Sequence, residues 1–303
     1  MHDSNLQRPW YKRIRLFGDQ PVGLIFSAPY IVFVLAIFAY PFIFAIYMAF
    51  HDYFFTAPGV QANKPFVGFK NFQTVLTDPD VLQSFRNILV FLIINVPLTV
   101  VLALVLATVL NKGIKWAAAF RIAFYLPYIT ASVSLVGVWM ILFSQDGLIN
   151  AFLGRFAPNP SWLVNEHLAM PSIALYVTWK QLGFYILLYL AALQNVPQEL
   201  HEAAEVDGAN SFQRFIHVTV PGVRSTTTLV LILAIITGAN LFTEPYLLTN
   251  GGGPDGASTS PVLLIYQFGI QQQNPDLASA IGMVLVILVG LLSLFVNRLN
   301  KER

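Results

Sequence analysis

The chain has 303 residues, of which 56% are hydrophobic and only 11% are charged, and its formal net charge is +2. Soluble globular domains carry about 25% charged residues, so this composition excludes an ordinary soluble protein. The absence of cysteine excludes disulfides and thiolate metal sites. No basic stripe with interleaved aromatic residues is present, so we expect no nucleic-acid partner.

Six apolar stretches are each long enough to cross a lipid bilayer, which takes roughly 20 residues. They lie near residues 22–50, 87–110, 120–143, 170–194, 226–248 and 277–297. The sequence therefore predicts an all-α integral membrane protein, with a polar segment at 1–20 and a transmembrane domain over 21–303. The first stretch is too long for a cleavable signal and lacks a small-residue cleavage site.

The basic residues predict the orientation of these spans. Twelve of the 17 Lys and Arg residues fall in the N-terminal segment, the loops after the second and fourth spans, and the C-terminal tail. Four fall on the other side, and Lys180 falls inside the fourth span. Because basic residues are in excess on the cytoplasmic side, we expect both termini and the loop after the fourth span to lie in the cytoplasm.

Several local signals refine this picture in chain order. The run Trp10–Phe17 mixes aromatic and basic residues, as interfacial anchors do. Pro29 and Pro41 lie in the first span, which we expect to be kinked, and Pro127 is expected near the cytoplasmic end of the third. The fifth span ends at Thr249–Pro254, a glycine-rich string that predicts a flexible outer loop.

The loop after the fourth span, residues 196–221, begins with a predicted acidic helix. Asn195 is a candidate N-cap, and Gln198 follows three residues later as in a capping box. Gly208 is placed to end this helix, because glycine accepts positive φ. Three acidic residues recur at a spacing of three and line much of one face: Glu199, Glu202 and Glu205.

The second half of the loop predicts a further short helix capped by Ser211, with Phe212 and Phe215 on one face. Pro221 marks the return to the membrane. The small residues Ala203 and Ala204 would let another protein approach the backbone closely, as at a docking site. The alternative interpretation is a solvated charged loop, which is common between two spans.

These residues together resemble a known family. The triplet Glu202–Ala204 is followed, after three further residues, by Gly208, and the loop closes with Val218–Pro221, where the family pattern has Ile-x-Leu-Pro. The chain resembles the permease subunit of ATP-binding-cassette importers, in the sugar-permease branch that includes maltose-transporter-like proteins. Similar strings occur from about residue 20 to the C-terminus: Phe66–Phe72, Gly147–Asn150, Trp179–Phe184, Phe242–Tyr246 and Thr249–Pro254.

The resemblance implies a six-helix type I ABC importer permease fold with a cytoplasmic coupling helix between helices 4 and 5. It implies four kinds of partner: a second homologous permease, a cytoplasmic ATPase dimer that binds ATP and Mg²⁺, an extracytoplasmic solute-binding protein, and a saccharide. The location would be a bacterial or archaeal inner membrane. The residues expected to couple to the ATPase are Glu202, Ala203, Ala204, Asp207, Gly208, Phe212, Phe215 and Pro221.

The resemblance also implies a substrate pathway through the spans. Its candidate residues are Tyr128, Ser132, Lys180, Gln181, Phe184, Thr237, Asn240 and Glu244. A charge inside the bilayer costs about 2.5–3.5 kcal/mol or more, so Lys180 and Glu244 each require a reason. Asn240 precedes Glu244 by one helical turn and is expected on the same face. The alternative roles are structural: hydroxyls that bond helix carbonyls, and a lysine that pairs with a carboxylate.

Other classes of function receive less support from the sequence. The chain contains no Gly-Lys dipeptide and therefore no phosphate-binding loop, so we expect a non-catalytic subunit whose ATPase is a separate chain. Its five histidines are scattered, which predicts neither a metal site nor an enzyme. An ion-coupled secondary transporter would leave the Glu-Ala-Ala triplet unexplained. An importer of glycerol phosphate or another non-sugar solute remains the alternative within the family.

Overall fold

The computed structural model describes residues 21–57, 63–113 and 115–301. Within these ranges all regular secondary structure is helical, and the sole β-type pairing is an isolated bridge between His51 and Phe66. The predicted all-α fold is therefore confirmed. The polar segment predicted at residues 1–20 lies outside the described residues.

Fifteen α-helices follow one another in the described ranges: α1 (Pro21–Val34), α2 (Tyr40–Ala49), α3 (Lys70–Thr77), α4 (Pro79–Asn111), α5 (Ala117–Ile129), α6 (Ser132–Leu142), α7 (Leu148–Leu153), α8 (Ala169–Leu193), α9 (Gln198–Val206), α10 (Ser211–Arg214), α11 (Val220–Gly222), α12 (Arg224–Ala239), α13 (Thr243–Leu248), α14 (Pro261–Tyr266) and α15 (Pro275–Lys301). Short π-helical segments join α1 to α2 and α10 to α11.

Four described helices are long and apolar enough to cross a membrane without a break: Ile25–Ala49, Pro79–Asn111, Ala169–Leu193 and Pro275–Leu299. Two further spans result if each of two bent helix pairs is counted as one. The first pair is α5 with α6, bent by 99°, and the second is Ser211–Gly222 with α12, bent by 72°. The described chain therefore has between four and six candidate spans.

The predicted third span is broken rather than continuous. Helix α5 ends at Ile129, Thr130 and Ala131 are non-helical, and α6 then starts in a new direction. Pro127, expected near the cytoplasmic end of the span, lies two residues before the end of α5 and so next to this break. Because proline offers no N–H to the preceding turn, it weakens the helix at this point.

The predicted fifth span, 226–248, is also divided. Helix α12 ends at Ala239, and α13 begins only after the non-helical residues 240–242. The hydroxyl of Ser260 donates a hydrogen bond to the carbonyl of Leu241, which the break removes from the helix ladder. A buried backbone group inside a membrane needs such a partner, so the break is stabilised from outside the span.

The expected kink at Pro41 takes the form of a widened helical turn. Residues Leu35–Ala39 are π-helical, and the N–H of Tyr40 bonds to the carbonyl of Leu35, five residues earlier. A proline in a helix removes one backbone hydrogen bond and crowds the carbonyl four residues before it. The extra residue in the turn accommodates this crowding. The same arrangement, Phe215–Thr219, precedes Pro221.

The hydrophobic core lies between α4, α8 and α12. Its largest fully buried side chains include Phe91 of α4 and three tyrosines of α8: Tyr176, Tyr185 and Tyr189. In the most apolar 18-residue stretch of α8, 61% is buried inside the described structure, against 0% in the corresponding stretch of the first span. Helix α8 is therefore at the centre of the described structure. The first span lies at the edge of that structure, where α2 packs on α15.

The glycine-rich string after α13 is packed rather than a free loop, contrary to the sequence expectation. Asn87 of α4 donates to the carbonyls of Gly256 and Thr259 at 2.8 and 3.0 Å. The hydroxyls of Thr249 and Ser258 lie 2.7 Å apart. An additional helix follows, α14 with its π-helical extension to residue 271, which no predicted span included.

Candidate functional sites

The first candidate site is the loop between α8 and α12, residues 196–221, called here the Glu-Ala-Ala loop. Its first helix, α9, begins at Gln198 with Pro197 as N-cap and no side-chain cap. Asn195, predicted as the cap, instead donates to the carbonyl of Ala191 at 2.9 Å. Gln198 donates to the carboxylate of Glu202 at 2.9 Å, so it does not form the predicted capping box.

Helix α9 ends where Gly208 was expected to end it. Gly208 has a φ of +81°, and its N–H bonds to the carbonyl of Glu205 at 3.0 Å. The N–H of Ala209 bonds to the carbonyl of Ala204 at 2.9 Å. These two bonds form a Schellman motif, in which a left-handed residue satisfies the last carbonyls of a helix.

The second helix of the loop is capped one residue earlier than predicted. The side chain of Asn210, not that of Ser211, accepts from the N–H of Gln213 at 2.9 Å. The side chain of Gln213 in turn accepts from the N–H of Asn210 at 2.8 Å. This capping box leaves Ser211 as the first helical residue.

An ion pair joins the two helices of the loop, α9 and α10. Arg214 of α10 donates to the carboxylate of Glu205 of α9, and Glu205 is largely exposed. A cavity of about 1190 Å³ lies between the loop and the ends of α4 and α8. It is lined by both apolar and charged side chains, among them Val105, Lys112, His201, Glu205 and Phe215. The loop is therefore a preformed two-helix unit beside an open recess.

The predicted coupling residues of the loop differ in exposure. Six are exposed: Glu202, Ala203, Asp207, Gly208, Phe212 and Pro221. Ala204 and Phe215 are half-buried. Phe212 is 71% exposed, whereas Phe215 packs against the core, so the two rings do not form the shared outward face that the sequence predicted. Leu200 and Val206 are also exposed, and sequence reasoning missed them although they flank the acidic positions of α9.

We expect the Asn210 cap to be measurable by substitution. Asn210→Ala should weaken α10 by about 1 kcal/mol, because it removes the acceptor for the N–H of Gln213. Hydrogen exchange of the amides of residues 211–214 in detergent should then be several-fold faster. Ser211→Ala is the matched control and should change exchange little. The reverse order of effects would contradict the capping assignment.

The second candidate site is a charged centre among the spans. The ammonium of Lys180 in α8 lies 3.1 Å from a carboxylate oxygen of Glu244, and it also donates to the hydroxyl of Ser132. The side chains of Lys180 and Glu244 are 14% and 10% exposed. Ser132 is the first residue of α6, and Glu244 lies in the first turn of α13. Lys180 therefore connects the two helices that follow the breaks.

Asn240 does not join this centre. It is the C-cap of α12, its amide donates to the carbonyl of Ile236 at 2.7 Å, and its side chain is exposed. The expectation that Asn240 and Glu244 share one helical face is wrong, because the chain is non-helical between them. Of the acidic and amide groups predicted in the fifth span, Glu244 is the one that meets Lys180.

An aromatic pair begins one helical turn after Lys180 in α8, at Phe184. The rings of Tyr128 and Phe184 are stacked, with centroids 4.9 Å apart and planes 15° apart. Thr237 bonds to the hydroxyl of Tyr185 at 3.2 Å and to a carbonyl of its own helix. Gln181 has a buried carbonyl oxygen without a hydrogen-bond partner among the described residues. The hydroxyl of Thr237 is thus hydrogen-bonded within the chain, while Tyr128 presents an exposed aromatic face.

Two residues near this centre escaped the sequence analysis. Tyr176 lies one helical turn before Lys180, with its ring centre 6.0 Å from the ammonium and its hydroxyl buried without a partner in the described structure. A Cβ on Gly183 would lie 2.1 Å from the carbonyl oxygen of Phe124, so only glycine permits this contact between α8 and α5. In the sequence, the spacing of four residues between Tyr176 and Lys180 was the one indication that these two side chains are neighbours on a helix.

No cluster of three or more His, Asp or Glu side chains that could hold a metal occurs in the described part of the chain. The features present are apolar spans, helices broken at depth and an ion pair between them. Backbone breaks and ionisable groups within a membrane occur where a protein handles a polar solute, so the fold and site define a membrane transport protein.

The chain belongs to the family described as binding-protein-dependent transport system inner membrane component, whose sequence model matches residues 22–303. It is therefore a multi-pass inner-membrane protein. It is 32% identical over 291 residues to the arabinooligosaccharides transport system permease protein AraP of Bacillus subtilis (strain 168), covering 94% of this chain and 90% of AraP. It is 29% identical over 287 residues to the lactose transport system permease protein LacF of Rhizobium radiobacter, covering 93% of this chain and 94% of LacF.

The fold is also found in a solved structure. A chain of the bacterial alginate ABC transporter, crystallised with an alginate-bound periplasmic protein, superposes with a TM-score of 0.75 over 92% of this chain and 94% of that chain. The sequence identity is 22%, so this match establishes the fold alone. The expected type I ABC importer permease fold is confirmed.

Proposed function

We propose that this chain is the permease subunit of an ATP-driven, binding-protein-dependent saccharide importer and forms half of the translocation pathway. The observation that carries the proposal is the preformed Glu-Ala-Ala loop, set between α8 and α12 in a chain of this family. The named substrates of the relatives AraP and LacF, which are oligosaccharides and lactose, support a saccharide.

We further propose that the Glu-Ala-Ala loop docks on a separate ATPase dimer, which binds ATP and Mg²⁺. The exposed side chains of Leu200, Val206 and Phe212 offer apolar contacts beside the acidic face of α9. The Schellman motif, the capping box and the Arg214–Glu205 pair support a loop that transmits force without first having to fold. The loop and both termini would lie in the cytoplasm, as the distribution of basic residues predicts.

We also propose that the solute passes beside the charged centre between α6, α8 and α13. The ion pair supports an uncharged saccharide over glycerol phosphate, because Glu244 already neutralises the ammonium of Lys180. An exposed aromatic ring, that of Tyr128 stacked on Phe184, suits the apolar face of a sugar ring. A second, homologous permease would complete the pathway, and an extracytoplasmic binding protein would deliver the solute.

Purification from native membranes tests this proposal. The tagged chain, solubilised in detergent, is expected to bring with it an ATPase chain and a second permease, both identified by mass spectrometry. ATP-dependent uptake by the reconstituted complex should require a solute-binding protein. A lone chain, or a homodimer without an ATPase, would contradict the proposal and favour an ion-coupled transporter.

A further inference from the structure

An exposed aromatic surface lies where the first span ends, at the end of the structure away from the Glu-Ala-Ala loop. It is formed by Phe54, Phe55, Phe66, Phe69 and Leu76, and is called here the aromatic patch. Phe66 and Phe69 are 70% and 75% exposed. Phe66 and Phe69 both lie against the ring of Phe50, with centroids 6.4 and 5.4 Å away, so their exposed rings belong to one surface. Single exposed apolar residues need no explanation, but neighbouring exposed rings indicate a surface that meets something apolar.

The patch is held rigidly against the end of α2. The side-chain amide of Asn71, itself only 6% exposed, donates to the carbonyls of Ala49 and His51 at 3.1 and 2.9 Å. The N–H of Val67 bonds to the carbonyl of Phe50 at 2.9 Å. Because these bonds fix the segment to the first span, the patch lies at a constant height relative to that span.

The aromatic rings around α3 divide into a packed set and an exposed set. Phe50 and Phe72 pack together with centroids 5.0 Å apart and join the small core cluster beside α15. Phe69 and Leu76 lie seven residues apart and so form an exposed apolar stripe along α3. Polar side chains, among them Thr74, occupy the far side of the helix. Helix α3 is therefore amphipathic, with an apolar edge that nothing in the described chain covers.

The patch is continuous with the surface of the first span. None of the most apolar 18-residue stretch of that span is buried, and Ile43 and Tyr47 in its second half are exposed. The apolar surface thus runs from the membrane-crossing helix into the patch. Beside it, the ammonium of Lys64 lies 3.6 Å from the ring centre of Tyr53. Aromatic rings mixed with lysine at the end of a span are the composition of a membrane–water interface.

We propose that the aromatic patch inserts into the headgroup region of the bilayer leaflet opposite the Glu-Ala-Ala loop. Helix α3 then lies along the membrane surface, with Phe69 and Leu76 directed into the lipid and Thr74 toward water. Because Asn71 bonds the patch to α2, the inserted rings set the depth at which the first span sits. The partner of this surface is lipid, and its role is independent of the solute that the permease carries.

Site-directed spin labelling tests the proposal directly, because the natural chain has no cysteine and an introduced one is unique. Phe66→Cys and Phe69→Cys are each labelled with a nitroxide, and the full chain is reconstituted in vesicles of phosphatidylethanolamine and phosphatidylglycerol. Thr74→Cys is the matched control on the polar side of the same helix. The measurement is the collision rate of each label with oxygen, which concentrates in lipid, and with a water-soluble nickel chelate.

We expect the ratio of oxygen to nickel collisions to be several-fold higher at Phe66 and Phe69 than at Thr74. Equal ratios at all three positions would place the patch in water and overturn the proposal. Labels at Phe66 and Phe69 that are immobile and protected from both reagents would mean that protein covers the patch. That result would also overturn the proposal, in favour of a contact with another subunit or a second copy of the chain.

Discussion

Lys180→Met is expected to lower the free energy of unfolding by about 3–5 kcal/mol, because it leaves the carboxylate of Glu244 buried without its partner. Glu244→Gln should be destabilising for the corresponding reason, since it leaves the ammonium of Lys180 unpaired. The double variant Lys180→Met/Glu244→Gln should lose clearly less than the sum of the two single changes. Thermal unfolding in detergent and the amount of folded chain in the membrane measure all three.

An exposed pair within the same chain provides the control. Arg214→Met and Glu205→Gln break an ion pair whose carboxylate is 67% exposed, and exposed pairs contribute only about 0–1 kcal/mol. If the double variant at Lys180 and Glu244 is as unstable as the sum of the single variants, mutual neutralisation is not what holds the centre together. If the double variant regains stability but not uptake, the two side chains also contact the solute.

Gly208→Val is expected to abolish ATP-dependent uptake while leaving the spans folded. A β-branched residue at a φ of +81° carries strain of about 1–3 kcal/mol, which the Schellman motif cannot absorb without moving Ala209 and the second half of the loop. Among the described residues other than its two chain neighbours, none has an atom within 4 Å of the position a Cβ would take, so the effect would come from the backbone and not from a clash with a distant part of the chain.

Gly208→Asn is the matched control for this experiment, because asparagine tolerates left-handed backbone better than other side chains do. Uptake by the Asn variant should remain well above that of the Val variant. Co-purification with the ATPase and ATP hydrolysis are measured on the same samples, which separates lost docking from lost coupling. Unchanged uptake in the Val variant would show that the geometry of the loop end is not needed for coupling.

The parts of the fold that the sequence predicted best are those with continuous apolar runs. Helices α4 and α8 are apolar over most of their length, and the few polar side chains within them, such as Thr178, bond to carbonyls of their own helix and do not interrupt it. The breaks at residues 130–131 and 240–242 escaped prediction because each is only two or three residues long within an otherwise apolar stretch. Pro127 was the single residue that indicated a break in the third span. The direction that the chain takes after this break depends on packing against α8.

The sites show the same division between local and long-range information. The end of α9 at Gly208 follows from local backbone preference, and it could be predicted. The cap at Asn210 was missed because Asn210 and Ser211 are adjacent and equally suitable. The partnership of Lys180 with Glu244 joins residues 64 positions apart, so it requires the fold. The glycine-rich string after α13 was expected to be flexible because the bonds that hold it and the residues just after it come from side chains elsewhere in the sequence, such as Gln267 to Gly251 and Asn87 to Gly256.

The glycine at position 183 restricts how this molecule can change shape. Its missing side chain brings the backbone of α8 against the carbonyl of Phe124, with no layer of side chains between the two helices. Rolling or sliding α5 over α8 would either drive backbone atoms together or open an empty gap in the bilayer. We therefore expect α5 and α8 to move together as one rigid unit, so that any change in the angle between α5 and α6 is taken up at the non-helical residues Thr130 and Ala131.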